Sequence, residues 1–320
     1  MSARTWDLVH RTTYTYPQDV TDSYGRAVLT PRDLPDQRRL THTVDVDPAP
    51  ADLAEEVDYF GNVTTYFAVP VPHRRLVVTA RSQVEVTRTA PALADLPGTG
   101  WEQVAQAVAA GDVAAGDIAA GDAAAGDVGT VASGLVALRE MRLPSAQVVL
   151  DDAVRAFAAP VFTPDRPLRD VVTDLSRRIA TGLTYRTGST TVHTTQAELL
   201  AQGAGVCQDF AHLAIAALRA HGLPARYVSG YLETRPGPDR PRLRGADASH
   251  AWFSVWLPGH GWWDVDPTND KSVDDGYVVL GWGRDYHDVP PLRGVVFTEG
   301  NGSTLEVAVD LVPAGTDPYL

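Results

Sequence analysis

Gly203-Ala204-Gly205-Val206-Cys207-Gln208-Asp209-Phe210-Ala211-His212-Leu213 is the stretch that decides how this chain is read. A glycine-rich turn runs directly into a helical pattern. Phe210, Leu213, Ala214, Ala217 and Leu218 recur at i, i+3, i+4, i+7 and i+8, which marks one buried helical face. Gly222, with Pro224 just beyond it, supplies the stop. The helix predicted over 205–221 therefore carries the single cysteine of the sequence, Cys207, in its first turn. Backbone N–H groups there lack intrahelical partners and bear partial positive charge. That field favours thiolate, the reactive form of cysteine, and the same N–H groups can receive an oxyanion. A free cysteine is otherwise often a small, inert core residue, so the nucleophile reading needs a base.

Nine histidines compete for that role. His212 lies five residues past Cys207, about 500° around the helix, and faces another way. His221 sits at the far end of the same helix. His250 opens an alternating strand, His250-Ala251-Trp252-Phe253-Ser254-Val255-Trp256-Leu257, after a polar, proline-rich loop. Pro258-Gly259-His260 then turns the chain into Gly261-Trp262-Trp263-Asp264-Val265-Asp266. A hairpin centred near Gly259 sets Trp252 opposite Asp266 and His250 opposite Thr268. His250 and Asp266 then share a face as diagonal neighbours, with backbones roughly 7–8 Å apart. A carboxylate at that offset can hold an imidazole by Nδ1. Asp264 shares the face two residues farther off and is the weaker candidate. Cys207 as nucleophile, His250 as base and Asp266 as orienting carboxylate make an activated thiol.

Composition narrows the alternatives. Of the 320 residues, 44% are hydrophobic and 21% charged, the balance of a globular protein with a real core. The net charge of −13, without a basic run, argues against nucleic acid and anionic membrane surfaces as partners. One cysteine excludes an internal disulfide and a zinc site of several thiolates. Scattered histidines make no metal cluster, and no cofactor is implied. Gly-x-Ser-x-Gly is absent, so no serine elbow competes. The N-terminal residues lack an apolar core with a cleavage site, and no run of about 18 apolar residues occurs, so a cytoplasmic protein is expected.

Three regions follow. Residues 1–90 read as short strands of β-branched and aromatic residues, as in Thr12-Thr13-Tyr14-Thr15-Tyr16 and Val63-Thr64-Thr65-Tyr66-Phe67, and suggest an antiparallel β-sandwich. Residues 91–150 read as a linker with a helix over 101–109 and a pentad repeat, AAGDV, AAGDI, AAGDA, AAGDV, over 109–128. A period of five fits neither helix nor strand, and the repeat reads as an acidic surface insertion. Residues 151–320 alternate helix and strand and form the catalytic unit, with terminal strands over 294–297 and 305–312 that can join either sheet. The expected fold class is α+β.

Gly205-Val206-Cys207-Gln208-Asp209-Phe210-Ala211, Ser249-His250-Ala251-Trp252 and Trp263-Asp264-Val265-Asp266-Pro267-Thr268-Asn269 together resemble the transglutaminase-like superfamily of papain-like thiol enzymes. Tyr14-Thr15-Tyr16, Pro31-Arg32 and Asp58-Tyr59-Phe60-Gly61-Asn62 are similar to the bacterial transglutaminase-like N-terminal region. The resemblance implies a nucleophile helix packed on a small antiparallel sheet, and the same roles for Cys207, His250 and Asp266. It implies attack on an amide of a peptide or protein substrate, with a thioester left behind. Water then gives hydrolysis, the expected outcome, and an amine gives transamidation. A non-catalytic interaction module keeping the fold is the third reading, and a homo-oligomer built on the first domain stays open. For the second oxyanion donor, Thr194, Thr195, Gln196 and Gln208 remain open. Asp209 is expected to steady the helix start. His212, Tyr231 and the tryptophans Trp252, Trp256, Trp262 and Trp263 are expected to pack.

Overall fold

Strand β1 (Arg4–Ala27) is long enough to serve two ladders. Its first half pairs antiparallel with β5 (His73–Val86) and with β14 (Thr304–Pro313). Its second half pairs with β4 (Val63–Val69) and β13 (Leu292–Thr298). Pro17, which has no N–H to donate, lies where the ladder to β5 breaks between Thr15 and Val20. With β2 (Gln37–Asp47) on β5 and β3 (Asp52–Val57) on β4, seven strands form one continuous antiparallel sheet. These positions come from a computed structural model, which describes residues 3–114, 117, 131–234, 249–300 and 302–315. Most of the Ala-Gly-Asp repeat lies outside the described residues, as does the proline-rich run ahead of His250.

Of the two sheets that the terminal strands could join, both strands take the first. Both β13 and β14 close on β1, so the chain returns to its first sheet. The physical reason is the free length of β1, whose two halves each offer an open edge to an alternating tail. The stretch expected to be a linker also does more than connect. Val104 and Val108 of the helix Trp101–Ala110, and Leu138 of the helix Val131–Glu140, are buried in the core that surrounds the cysteine helix.

That core is built around the helix Cys207–Ala220. The expected apolar stripe is there, but the helix is buried almost all round, since Ala211, His212, Ile215 and Ala216 are covered as well. A helix apolar on every side has to sit inside a structure. The helices Asp152–Ala158, Leu168–Gly182 and Gln196–Gln202 pack on it from one side. On the other lies a five-stranded antiparallel sheet in the order β11 (Lys271–Ser272), β10 (Gly261–Asp266), β9 (His250–Leu257), β8 (Ala225–Leu232), β12 (Tyr277–Gly283). A short parallel ladder of β6 (Thr184–Tyr185) with β7 (Ala204–Gly205) ties the segment before Cys207 to the end of the long helix. At its far end the helix stops as expected, with Gly222 at φ 78° and the Leu223 N–H returning to the Leu218 carbonyl.

Every residue of β8 and β9 is buried, so the alternation expected for a half-exposed strand is hidden by cover on both faces. Ala225, Phe253 and Val255 meet the cysteine helix, while Val228, Leu232 and Trp252 form a separate cluster with Tyr277 and Val279 of β12. The two sheets are joined by polar contacts as well as apolar ones. The Tyr231 hydroxyl lies 2.7 Å from His10 Nδ1, and Asn62 Nδ2 donates to the Trp282 carbonyl at 2.9 Å. The Arg32 guanidinium stacks 3.6 Å over the Trp282 ring. Tyr231 is thus a packing residue, as expected. Among the described residues no helix is long and apolar enough to cross a membrane.

Candidate active site

The turn ahead of Cys207 is set by local chemistry. A Cβ on Gly205 would lie 2.5 Å from Leu199 Cδ1 and 2.9 Å from Asp209 Oδ2, so only glycine lets the chain pass between them. Asp209 reaches back to accept from the Val206 N–H at 2.8 Å, the bond expected of an acid in the first turn. Its Oδ2 also accepts from the Thr190 hydroxyl at 2.7 Å, which fastens the 186–195 loop beside the cysteine. Burial raises the Asp209 pKa, and these two hydrogen bonds work against the rise. Cys207 becomes the first helical residue, with the free N–H groups of the first turn around its side chain.

The hairpin forms in the expected register. Trp262 pairs with Trp256 and Val265 with Phe253, which carries His250 and Asp266 to the same end of the β9–β10 ladder. His250 Nε2 lies 2.9 Å from Asp266 Oδ2, with both side chains fully buried. The nitrogen that meets the carboxylate is therefore Nε2, not the Nδ1 expected from strand offset. Nδ1 makes no hydrogen bond, and the Cys207 thiol interacts with the ring without meeting that geometry. Nε2 is held by Asp266, and Nδ1 is the ring nitrogen without a hydrogen bond.

Asp266 is the best-satisfied group in the site. Its Oδ1 accepts from the Thr268 N–H at 2.9 Å and the Asn269 N–H at 3.4 Å. Its Oδ2 accepts from Asn269 Nδ2 at 2.7 Å and the Tyr277 hydroxyl at 2.8 Å, besides His250. Burial opposes ionisation here, but the Coulombic pull of His250 and the bonds from His250, Asn269 and Tyr277 outweigh it. They hold the carboxyl below the usual range. Burial likewise opposes charge on His250, and Asp266 and Cys207 together override it, so the imidazolium is favoured. Cys207 is the most exposed of the three, at 9% against 1% for His250 and 0% for Asp266.

The other candidates separate cleanly. Asp264 does not contact His250, and its carbonyl is bonded by the Val273 N–H. His212 accepts from the Tyr286 N–H at 3.1 Å and is held neutral, its pKa lowered to about 4 by burial. Gln196 bridges the Gln147 carbonyl and the Val149 N–H, and Thr195 caps the helix that follows it, so both are committed to structure. Trp252 and Trp256 are fully buried, as expected of packing residues. Other neighbours were not foreseen. Asn269 and the Thr268 N–H could have been, because an aspartate followed by proline and threonine commonly accepts from the N–H two residues on. Tyr277, and Tyr227, which packs against His212, arrive from strands whose pairing no local pattern discloses. Among the described residues no group of three or more His, Cys, Asp or Glu side chains gathers to hold a metal.

Comparison with known proteins places these features in context. Residues 6–85 match the bacterial transglutaminase-like N-terminal region, and residues 155–267 match the transglutaminase-like superfamily. The uncharacterized protein Rv2569c of Mycobacterium tuberculosis is 46% identical over 310 residues, 96% of this chain and 92% of that one. A protein-glutamine gamma-glutamyltransferase of Pseudomonas aeruginosa is 42% identical over 66 residues, 20% of this chain and 10% of that one. A crystal structure from Cytophaga hutchinsonii, provisionally described as a cysteine protease, has a TM-score of 0.73 at 22% identity and covers 99% of this chain and 93% of that one. At that identity the likeness speaks for the fold alone.

Proposed function

The chain belongs to the transglutaminase-like superfamily, with the bacterial transglutaminase-like N-terminal region ahead of the core, and on the geometry of its site we propose that it is a thiol enzyme acting on amide bonds, in the first place a peptidase or amidase. Its fold is the mixed α+β arrangement that the resemblance implied, an antiparallel N-terminal sheet followed by a papain-like core. The observation that carries the proposal is the buried 2.9 Å contact of His250 Nε2 with Asp266, which leaves Nδ1 to the Cys207 thiol.

In this reading Cys207 gives its proton to His250 Nδ1 and attacks the amide carbonyl. The oxyanion forms beside the N–H groups of the first helical turn. The C–N bond breaks as the imidazolium returns the proton to the leaving nitrogen, and a thioester remains on Cys207. Water, deprotonated by the same nitrogen, releases the acid and regenerates the thiol. Asp266 holds the ring and stays ionised throughout, because five donors satisfy it.

Transfer to an amine is the second reading, favoured by the matched segment of the Pseudomonas aeruginosa transferase. The two differ only in what resolves the thioester. Incubation with a peptide-amide library, with and without a primary amine, followed by intact-mass analysis distinguishes them. Hydrolysed acid in both arms supports the peptidase or amidase, and amine conjugates in the second arm support transfer. Absence of acyl adduct and product from the wild type, across a library varied in side chain, would count against both.

A further inference from the structure

Tyr277 comes to the site from an unexpected direction. β12 is three strands from β10 in the sheet order, about 14 Å along a flat sheet at the usual strand spacing. Its hydroxyl nevertheless lies 2.8 Å from Asp266 Oδ2, because the long side chain reaches across the sheet beside Trp252. The Tyr277 ring is fully buried, 6.4 Å from the His250 ring and 5.4 Å from the Trp252 ring. The hydroxyl donates to the carboxylate.

Oδ2 receives three donors, from His250, Asn269 and Tyr277, although a carboxylate oxygen has only two lone pairs. The donors therefore share one pool of negative charge, and each weakens the hold of the others. We propose that Tyr277 is a positioning residue of the catalytic machinery: its hydroxyl fixes the plane of the Asp266 carboxylate and limits how strongly that carboxylate grips His250 Nε2, leaving Nδ1 aimed at sulfur. The catalytic meaning of this role rests on the acyl-transfer reading given above. The hydrogen-bond competition itself does not.

The test reads the competition in the full-length protein without any substrate. Histidine labelled with 15N reports the Nε2 shift of His250 through the ring protons, and His250→Asn identifies the signal. Tyr277→Phe deletes one competitor, so the Nε2 signal moves downfield as its bond to Asp266 strengthens. Tyr231→Phe removes another buried tyrosine hydroxyl, one bonded to His10, and leaves the signal in place. Should Tyr277→Phe fail to fold, uniform 3-fluorotyrosine keeps the shape and makes the hydroxyl a stronger donor, which moves the signal upfield. An unmoved signal in Tyr277→Phe, or in the fluorotyrosine protein where the variant does not fold, overturns the proposal. Equal displacement by Tyr231→Phe overturns it too. A protein that turns over no amide still shows the displacement, so failure of the enzyme reading and failure of the Tyr277 assignment are distinguishable.

Discussion

Exchanging Asp266 for asparagine changes almost no volume and removes one charge, so its effect is electrostatic. The amide can present its oxygen to His250, Asn269 Nδ2 and Tyr277, but its NH2 then faces the N–H groups of Thr268 and Asn269. Turned the other way, the NH2 confronts three donors. At least two buried donors lose an acceptor in either orientation, at about 1–3 kcal/mol for each group left unsatisfied. The His250 imidazolium also loses its counter-charge in a fully buried site. Removing one partner of a buried ion pair costs about 3–5 kcal/mol, and we expect the Asp266→Asn loss in that range. Urea unfolding followed by tryptophan fluorescence reads it directly, since Trp252, Trp256 and Trp263 surround the hairpin. With an m-value of about 3 kcal/mol/M the midpoint falls by roughly 1–2 M. A midpoint within about 0.3 M of the wild type, at unchanged m, would mean that the carboxylate is not ionised and paired in the folded protein, and the reasoning would fail.

Other outcomes follow from the same structure. Gly230→Ala places a Cβ 2.2 Å from the Val278 carbonyl oxygen and 2.4 Å from Trp252 Cη2, directly across the ladder from His250. Unfolding titrations should show a loss of about 1–3 kcal/mol or more, and wild-type stability would mean that β8 and β12 are not this close. Arg219, buried in the cysteine helix, donates to the carbonyls of Leu143, Ala225 and Arg284. Arg219→Lys keeps the charge but not the fork of donors, and a drop of roughly 2–4 kcal/mol is expected from the same titrations. His10 and His212 are held to about 4 by burial against 6.5 when unfolded. The unfolded chain binds protons below pH 6.5 that the folded one refuses until about 4, so stability falls on acidification through that window. Each such histidine contributes a slope of up to about 1.4 kcal/mol per pH unit. His10→Gln should remove one histidine's share of that slope, and an unchanged slope would place the His10 pKa elsewhere.

What the sequence disclosed depended on how local the responsible physics is. The cysteine helix was legible because glycine, period and stop signal all lie within twenty positions of one another. The β9–β10 register was legible because a tight turn fixes it, and it carried His250 and Asp266 to the same place. The ring nitrogen that meets Asp266 was not legible, because strand offset gives a distance and not the ring's rotation. Tyr277 was invisible because the strand order of the whole sheet decides which side chain reaches Asp266. The tail strands were ambiguous for a similar reason. Alternation shows that a segment is a strand but not which edge it completes, and β1 supplied the open edges for β13 and β14.

Activation of Cys207 by His250, braced by Asp266, is read from the rate of iodoacetamide alkylation at Cys207 in the folded protein. Read by mass spectrometry at neutral pH, the wild type should be alkylated at least about tenfold faster than His250→Asn, the span of one strong charge-assisted hydrogen bond, with Asp266→Asn between them. Equal rates in wild type and His250→Asn, with both proteins folded, would mean that the imidazole does not activate the thiol.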